Sequence, residues 1–142
     1  MSDSAEQMTL EDVQAAFDDS PFIAFLKMKA DSLDYDAGEI TCTMPMHAAL
    51  ERRPGTSQFH GGPIAAFIDT VGDYAIGILV GGGVPTINLR IDYLKPAVGE
   101  YLRGTAKVRR RGRSVAIIDV DVFDAKGSLV AIGRGTYSPN RG

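Results

Sequence analysis

Apolar and polar positions along this chain follow two rhythms, and the change between them divides it. Residues 63–79, PIAAFIDTVGDYAIGIL, repeat with the helical period, so that Ile64, Phe67, Ile68, Val71, Tyr74, Ala75 and Ile78 fall on one broad face. The segments after them read with the period of two of a half-buried strand. In TINLRIDYL, Ile87, Leu89, Ile91 and Tyr93 alternate with Thr86, Asn88, Arg90 and Asp92, and the strand closes before Pro96. Residues 100–110, 114–124 and 128–137 continue the pattern, punctuated by Val98-Gly99, Arg111-Gly112-Arg113 and Lys126-Gly127. Short turns make successive strands antiparallel neighbours, which predicts a four-stranded meander after the helix.

Upstream, Thr9 with Asp12 three positions on, then Ser20-Pro21 before FIAFL, are two helix-start signals and predict two short lead-in helices. Residues 28–34 and 38–46 predict a hairpin turning at Asp36-Ala37-Gly38. The stretch HAALERRPGTSQFH, 47–60, is a long connection of the kind that often carries function. A sheet with one apolar face needs a cover, and the long helix is the one element large enough to supply it. The expectation is an α+β domain, an antiparallel sheet of about five to six strands wrapped around one long central helix. Its domain would span 27–138, behind an N-terminal region of 1–26 whose first eight residues form a loose tail, and ahead of a C-terminal tail at 139–142.

Composition narrows this further. With 142 residues and 44% hydrophobic content, the chain fits one soluble compact domain. No run of about 18 apolar residues stands out to span a bilayer, and the acidic start MSDSAEQMTLEDVQ is unlike a secretory signal. A cytoplasmic protein without a membrane partner is expected. A net charge of −3 gives no general field for nucleic acid, so an anionic ligand would need a local basic cluster such as Arg109-Arg110-Arg111-Gly112-Arg113. Cys42 is the single cysteine, and with two distant histidines it makes neither a disulfide nor a zinc set. No metal or other cofactor is expected.

The candidate chemistry lies in FHGGPIAAFIDT, 59–70. On the helical projection Asp69 sits opposite the apolar face, with Ala65, Gly72, Asp73 and Ile76, which by itself describes a solvated surface. Yet Gly72 and Gly77 each cost roughly 1 kcal/mol relative to Ala in a helix interior, and helices carry such residues where another chain or a ligand approaches closely. His60-Gly61-Gly62 reads either as a turn or as a helix start whose free N–H groups meet developing negative charge. Gly62 and Asp69 are seven residues apart, about 10 Å along a helix axis, whereas a reacting carbon needs base and oxyanion donor each within about 3 Å. Both can act on one bond only if the helix meets a second copy of itself, which argues for a two-fold dimer with two equivalent sites.

HGGPIAAFIDTVGDYA, then TINLRIDYLKPA, then RRRGRSVAIIDVDVFDAKGSLVAIGRGTY together resemble the hotdog-fold acyl-CoA thioesterases of the phenylacetate-degradation type, over roughly residues 28–138. The resemblance implies an acyl-CoA substrate, with Asp69 as the catalytic carboxylate, acting on water as a base or on the thioester carbon as a nucleophile. It also implies Gly61 as the backbone donor, His60 holding the local geometry, and Gly and Asp coming from opposite subunits of a dimer or a dimer of dimers. Thr86 falls where some members carry a Ser or Thr that orients the attacking water. The family Asn six residues before the His is here Pro54, so Gln58 or Ser57 would take its polar contact. This departure leaves a non-catalytic acyl-CoA-binding protein as the alternative reading. Gly62, Gln58 and Phe59 are expected to line the substrate site, with Ile64 and Tyr74 setting its depth. Arg111 and Arg113, with Arg52 and Arg53 as further candidates, are expected to meet the coenzyme A phosphates.

Overall fold

The computed structural model describes residues 7–140. Helix α1 (Leu10–Asp19) starts on the expected cap: Thr9 Oγ1 accepts the Asp12 N–H at 3.0 Å and the Asp12 carboxylate accepts the Thr9 N–H at 2.9 Å, satisfying two otherwise orphaned donors. Helix α2 (Pro21–Leu26) follows. Of the expected loose tail, residues 1–6 lie outside the described residues, as do 141 and 142 at the other end. Met8 is not loose, since its side chain is buried, its N–H donates to the Ile78 carbonyl at 3.0 Å and its carbonyl accepts from the Tyr35 hydroxyl.

Strands β1 (Lys29–Asp34) and β2 (Glu39–Pro45) form the expected hairpin, with Gly38 at φ +64 in its turn. After α3 (Gly61–Val80) come β3 (Thr86–Tyr93), β4 (Tyr101–Arg111), β5 (Ala116–Asp124) and β6 (Leu129–Tyr137). All six strands form one antiparallel sheet in the order β1-β2-β4-β5-β6-β3. This corrects the four-stranded meander: β4, β5 and β6 are sequential neighbours, but β3 lies at the far edge against β6, and β4 enters between β2 and β5. The reason is the link LKPAVGE, 94–100, which is not a tight turn. The Ala97 carbonyl accepts the Phe59 N–H and Val98 bridges to Gln58, so the link is tied to the 51–60 loop and carries the chain from one side of the sheet to the other.

The sheet curves around α3, which packs against β2 to β6. All seven residues of the predicted apolar face are buried, and each of the Ile, Val and Phe side chains among them contributes about 1.5–3 kcal/mol. Close approach is possible because two strands carry glycine under the helix: a Cβ on Gly104 would come within 2.9 Å of Phe67 and one on Gly133 within 2.5 Å of Ile68. The opposite side of α3 is less open than its pattern predicts, with Gly72, Ile76 and Gly77 buried as well. The helix is in fact long and apolar enough, by length and composition, to cross a membrane, although the sheet buries most of it. Gly72 and Gly77 also answer to contacts within this chain. A Cβ on Gly72 would sit 2.3 Å from the Tyr137 hydroxyl, and one on Gly77 would sit 2.9 Å from the Gly82 carbonyl.

Candidate active site

Helix α3 begins at Gly61, two residues earlier than its periodicity predicts, because His60 caps it: His60 Nδ1 accepts the Gly62 N–H at 2.9 Å. That bond requires the ring proton on Nε2. It also occupies the Gly62 donor, leaving Gly62 only its small size to offer a ligand. The Gly61 N–H is a first-turn donor with no intrahelical partner, and no hydrogen bond to it is found among the described residues. The Gly61 carbonyl accepts the Tyr93 hydroxyl at 2.9 Å, which ties the helix start to the end of β3.

Beside Gly61 lies a surface cavity of about 300 Å³, lined by Gln58, Phe59, Ile64, Tyr93, Arg52 and Lys95 among others. Gln58, Phe59 and Ile64, expected at the substrate site, thus share one cavity. Tyr74 is not: it is buried near the other end of α3, edge-to-face on Phe17 with ring centres 5.1 Å apart. Pro54 and Ser57 stand on an exposed loop that Glu51 closes by accepting the Gly55 and Ser57 N–H groups at 3.1 and 2.7 Å. Those N–H donors hold the Glu51 carboxyl below the usual range. Arg53 does not line the cavity, whereas Lys95 and Tyr93 do without having been singled out in sequence; their only signal was the Tyr-Leu-Lys-Pro close of β3.

Two turns along α3, Asp69 Oδ1 accepts the Thr86 hydroxyl at 2.7 Å. Strict alternation would have put Thr86 on the outer face of the sheet with Asn88 and Arg90. A bulge at Ile87 prevents this, since Thr86 pairs with Tyr137 while Asn88 already pairs with Thr136. The extra residue turns Thr86 toward the helix and leaves Ile87 exposed at 56%, the re-aiming that bulges give beside functional sites. The buried Tyr137 completes the group, its hydroxyl donating to the Asp69 main-chain carbonyl at 3.0 Å. Burial pushes that hydroxyl's pKa up, and the nearby Asp69 and Asp73 carboxylates add to the effect, so it remains a donor.

Arg111 belongs to the same layer. A second bulge, at Arg109, shifts the pairing so that Arg111 faces Ala116, which faces Tyr137, which faces Thr86. Directly opposed residues share a face, so this row of four points to the helix side, and three strand spacings separate its ends by roughly 14 Å. Arg113 follows in the adjoining turn. Neither arginine takes part in an ion pair among the described residues. Within one chain Asp69, Thr86 and Tyr137 come together, with Arg111 at the far end of the same row, and Gly61, His60, Gln58 and Phe59 gather about two helical turns away.

Residues 58–131 match the model of a protein family, the Thioesterase superfamily. The chain belongs to that superfamily. A protein of Halobacterium salinarum is 33% identical over 136 residues, 88% of each chain. The acyl-coenzyme A thioesterase PaaI of Escherichia coli is 29% identical over 106 residues, 74% of each. Among solved structures, zebra fish Thioesterase Superfamily Member 2 superposes with a TM-score of 0.81 at 30% identity, covering 94% of this chain and 100% of that one. The sheet wrapped on α3 is thus the hotdog fold of phenylacetate-type thioesterases, as the quoted motifs imply.

Proposed function

We propose that this thioesterase-superfamily protein hydrolyses a small, aryl or medium-chain acyl-CoA to the free acid and coenzyme A, at a site formed by two copies of the chain. The observation that carries the reading is the 2.7 Å Thr86–Asp69 hydrogen bond. A bulge spent to bring a hydroxyl onto one carboxylate oxygen leaves the other oxygen, Oδ2, for water. Oδ2 takes a proton from the water as its oxygen bonds to the thioester carbon. The carbonyl oxygen, now negative, is met by the uncommitted Gly61 N–H at a helix start, where aligned backbone dipoles favour negative charge. Collapse of the tetrahedral species breaks the carbon–sulfur bond, and the departing thiolate takes the proton held by Asp69, which restores the carboxylate and releases the coenzyme A thiol beside the free acid.

Gly61 and Asp69 of one chain are eight residues apart, about 12 Å along the axis, so the Gly61 serving a given Asp69 comes from the partner. The bare edge of β3 supports that pairing, since no hydrogen bond is found along its outer side among the described residues. Arg111 and Arg113 would hold the nucleotide phosphates, at the end of the row that begins at Thr86, while the flexible pantetheine arm spans the distance between. The 300 Å³ cavity beside Gly61 would take the acyl group or the arm.

Asp69→Asn should lower kcat about 10³-fold, roughly 4 kcal/mol of transition-state stabilisation, with acyl-CoA binding retained. The check is a steady-state assay over a panel of acyl-CoA esters, with binding measured by calorimetry. Equal rates for wild type and variant would overturn the assignment of Asp69. Binding without turnover on every ester would establish the acyl-CoA sensor instead.

A further inference from the structure

After α3 the chain doubles back along the helix it has just left. Gly81 turns at φ +96, and the Gly81 and Gly82 N–H groups both donate to the Gly77 carbonyl, at 2.8 and 3.0 Å. One turn up the helix, Asp73 Oδ1 accepts the Val84 N–H at 2.7 Å, and Asp73 Oδ2 lies 3.3 Å from where a Gly83 Cβ would be. One further turn up, Asp69 meets Thr86. Gly77, Asp73 and Asp69 are spaced by four, so they stand on one face as three stations along which residues 82, 84 and 86 are laid down. On the sheet side the same segment is held where the Ser138 N–H donates to the Pro85 carbonyl at 2.9 Å. Pro85 has no N–H of its own, so on the helix side the Val84 bond is the main-chain tether nearest to Thr86.

We infer that Asp73 is a positioning residue for the hydrolytic site: by accepting the Val84 N–H it sets the register in which the returning segment delivers Thr86 to Asp69. The inference rests on the thioesterase reading of Asp69 and Thr86. Asp73 does not touch the reacting atoms; it acts through the main chain at 84 and the Thr86 hydroxyl. Asp69 on its own helix, Tyr137 from β6 and the Val84 N–H from the returning segment all bear on its carboxylate, and it makes no ion pair among the described residues. Among the described residues the hydrogen bond its side chain accepts is the Val84 tether. Burial pushes its pKa up to about 7, the Val84 N–H opposing and Asp69 adding to the shift, so the tether is held by an acceptor that is costly to keep charged. An amide oxygen in the same place can accept the same bond without that cost.

The test compares Asp73→Ala, Asp73→Asn and Thr86→Val, with the Ala/Val double variant, in kinetics and in amide hydrogen exchange followed by NMR. Asp73→Ala should lower kcat about tenfold with KM little changed, and Asp73→Asn should recover most of that loss. The double variant should be no slower than Thr86→Val alone, because both changes remove the same Thr86–Asp69 contact. In Asp73→Ala the Val84 amide should exchange faster and the Thr86 resonances should shift, while Asp73→Asn keeps both near wild type. An Ala variant with unchanged Val84 exchange, or fully additive losses in the double variant, would overturn the inference. If the wild type hydrolyses no acyl-CoA while Val84 and Thr86 respond as stated, the positioning stands and the thioesterase reading falls.

Discussion

The two edges of the sheet are built on opposite plans. The β1 edge is covered: Gln14 of α1 accepts the Ala30 N–H at 2.8 Å and donates to the Met28 carbonyl at 3.1 Å, a bulge interrupts the strand between Ala30 and Ser32, and Lys29, Asp31 and Asp34 put charge along it. These are the devices by which proteins keep an edge strand from pairing with another chain. The β3 edge has a bulge and charges of its own, at Ile87 and at Arg90 and Asp92, but no side chain or helix bonds its outer main chain among the described residues, and Ile87 and Tyr93 on it, with Leu94 just beyond, are each at least half exposed. The same edge holds Thr86, and through it the proposed Asp69 half-site. An edge left open beside it, with Gly61 two helical turns away, is what the proposed two-fold pairing would use.

The largest expected effect comes from charging the open edge. Ile87→Lys puts a charge into the proposed pairing of two β3 edges, and should convert the proposed dimer to monomer in sedimentation velocity while lowering kcat/KM about 100-fold. Its counterpart Ser32→Lys, also at a bulge but on the covered edge, should leave both unchanged. An Ile87→Lys monomer with full activity would break the comparison, because one chain would then hold a whole site.

A smaller effect tests how far the site extends inward from that edge. Arg111→Gln combined with Arg113→Gln should raise KM for acyl-CoA about tenfold with kcat little changed, and the wild-type KM should rise with salt as the phosphate contacts are screened. Arg109→Gln, one bulge away, is the control. Its guanidinium lies 3.6 Å from Asp119 on the outer face, beside the 2.6 and 2.9 Å forked pair that Arg134 makes with the same carboxylate, and KM should not move.

Much of this was legible in the sequence. The helical period of 63–79 and the turn signals at 36–38, 112 and 127 located the elements, and the spacing of Gly62 and Asp69 argued for two chains if both act on one bond. The order of strands was not legible, because LKPAVGE reads as a turn until its main chain is seen bonded to the 51–60 loop. Nor were the bulges at Ile87 and Arg109: a single extra residue has no composition of its own, yet each reverses which face its neighbours occupy. Alternation therefore placed Thr86 with the outward set, and the resemblance, not the period, pointed to it. Asp73 was missed for the reverse reason. A half-buried acid on a face that projects to solvent looks ordinary until the returning segment is seen lying across it.

The smallest expected effect concerns stability, and it separates the two edges once more. The Asp73 carboxyl is raised to about 7 in the folded chain from an ordinary value of 3.8. Between those values the folded state holds a proton that the unfolded state has lost, so folding stability falls as pH rises from about 4 to about 7, and the full penalty remains above 7. Asp73→Asn removes the ionisation and keeps the Val84 bond. At about 1.4 kcal/mol per pH unit, it should stabilise the chain at pH 8 by one to a few kcal/mol and leave it nearly unchanged at pH 4, measured by urea unfolding at both values. On the covered edge, Thr43→Val removes the 2.6 Å bond from Thr43 to Asp31. It should cost about 1 kcal/mol or less, without the gain at high pH. A wild type as stable at pH 8 as Asp73→Asn would mean that the acid near the open edge carries no strain, and the contrast between the edges would then rest on pairing alone.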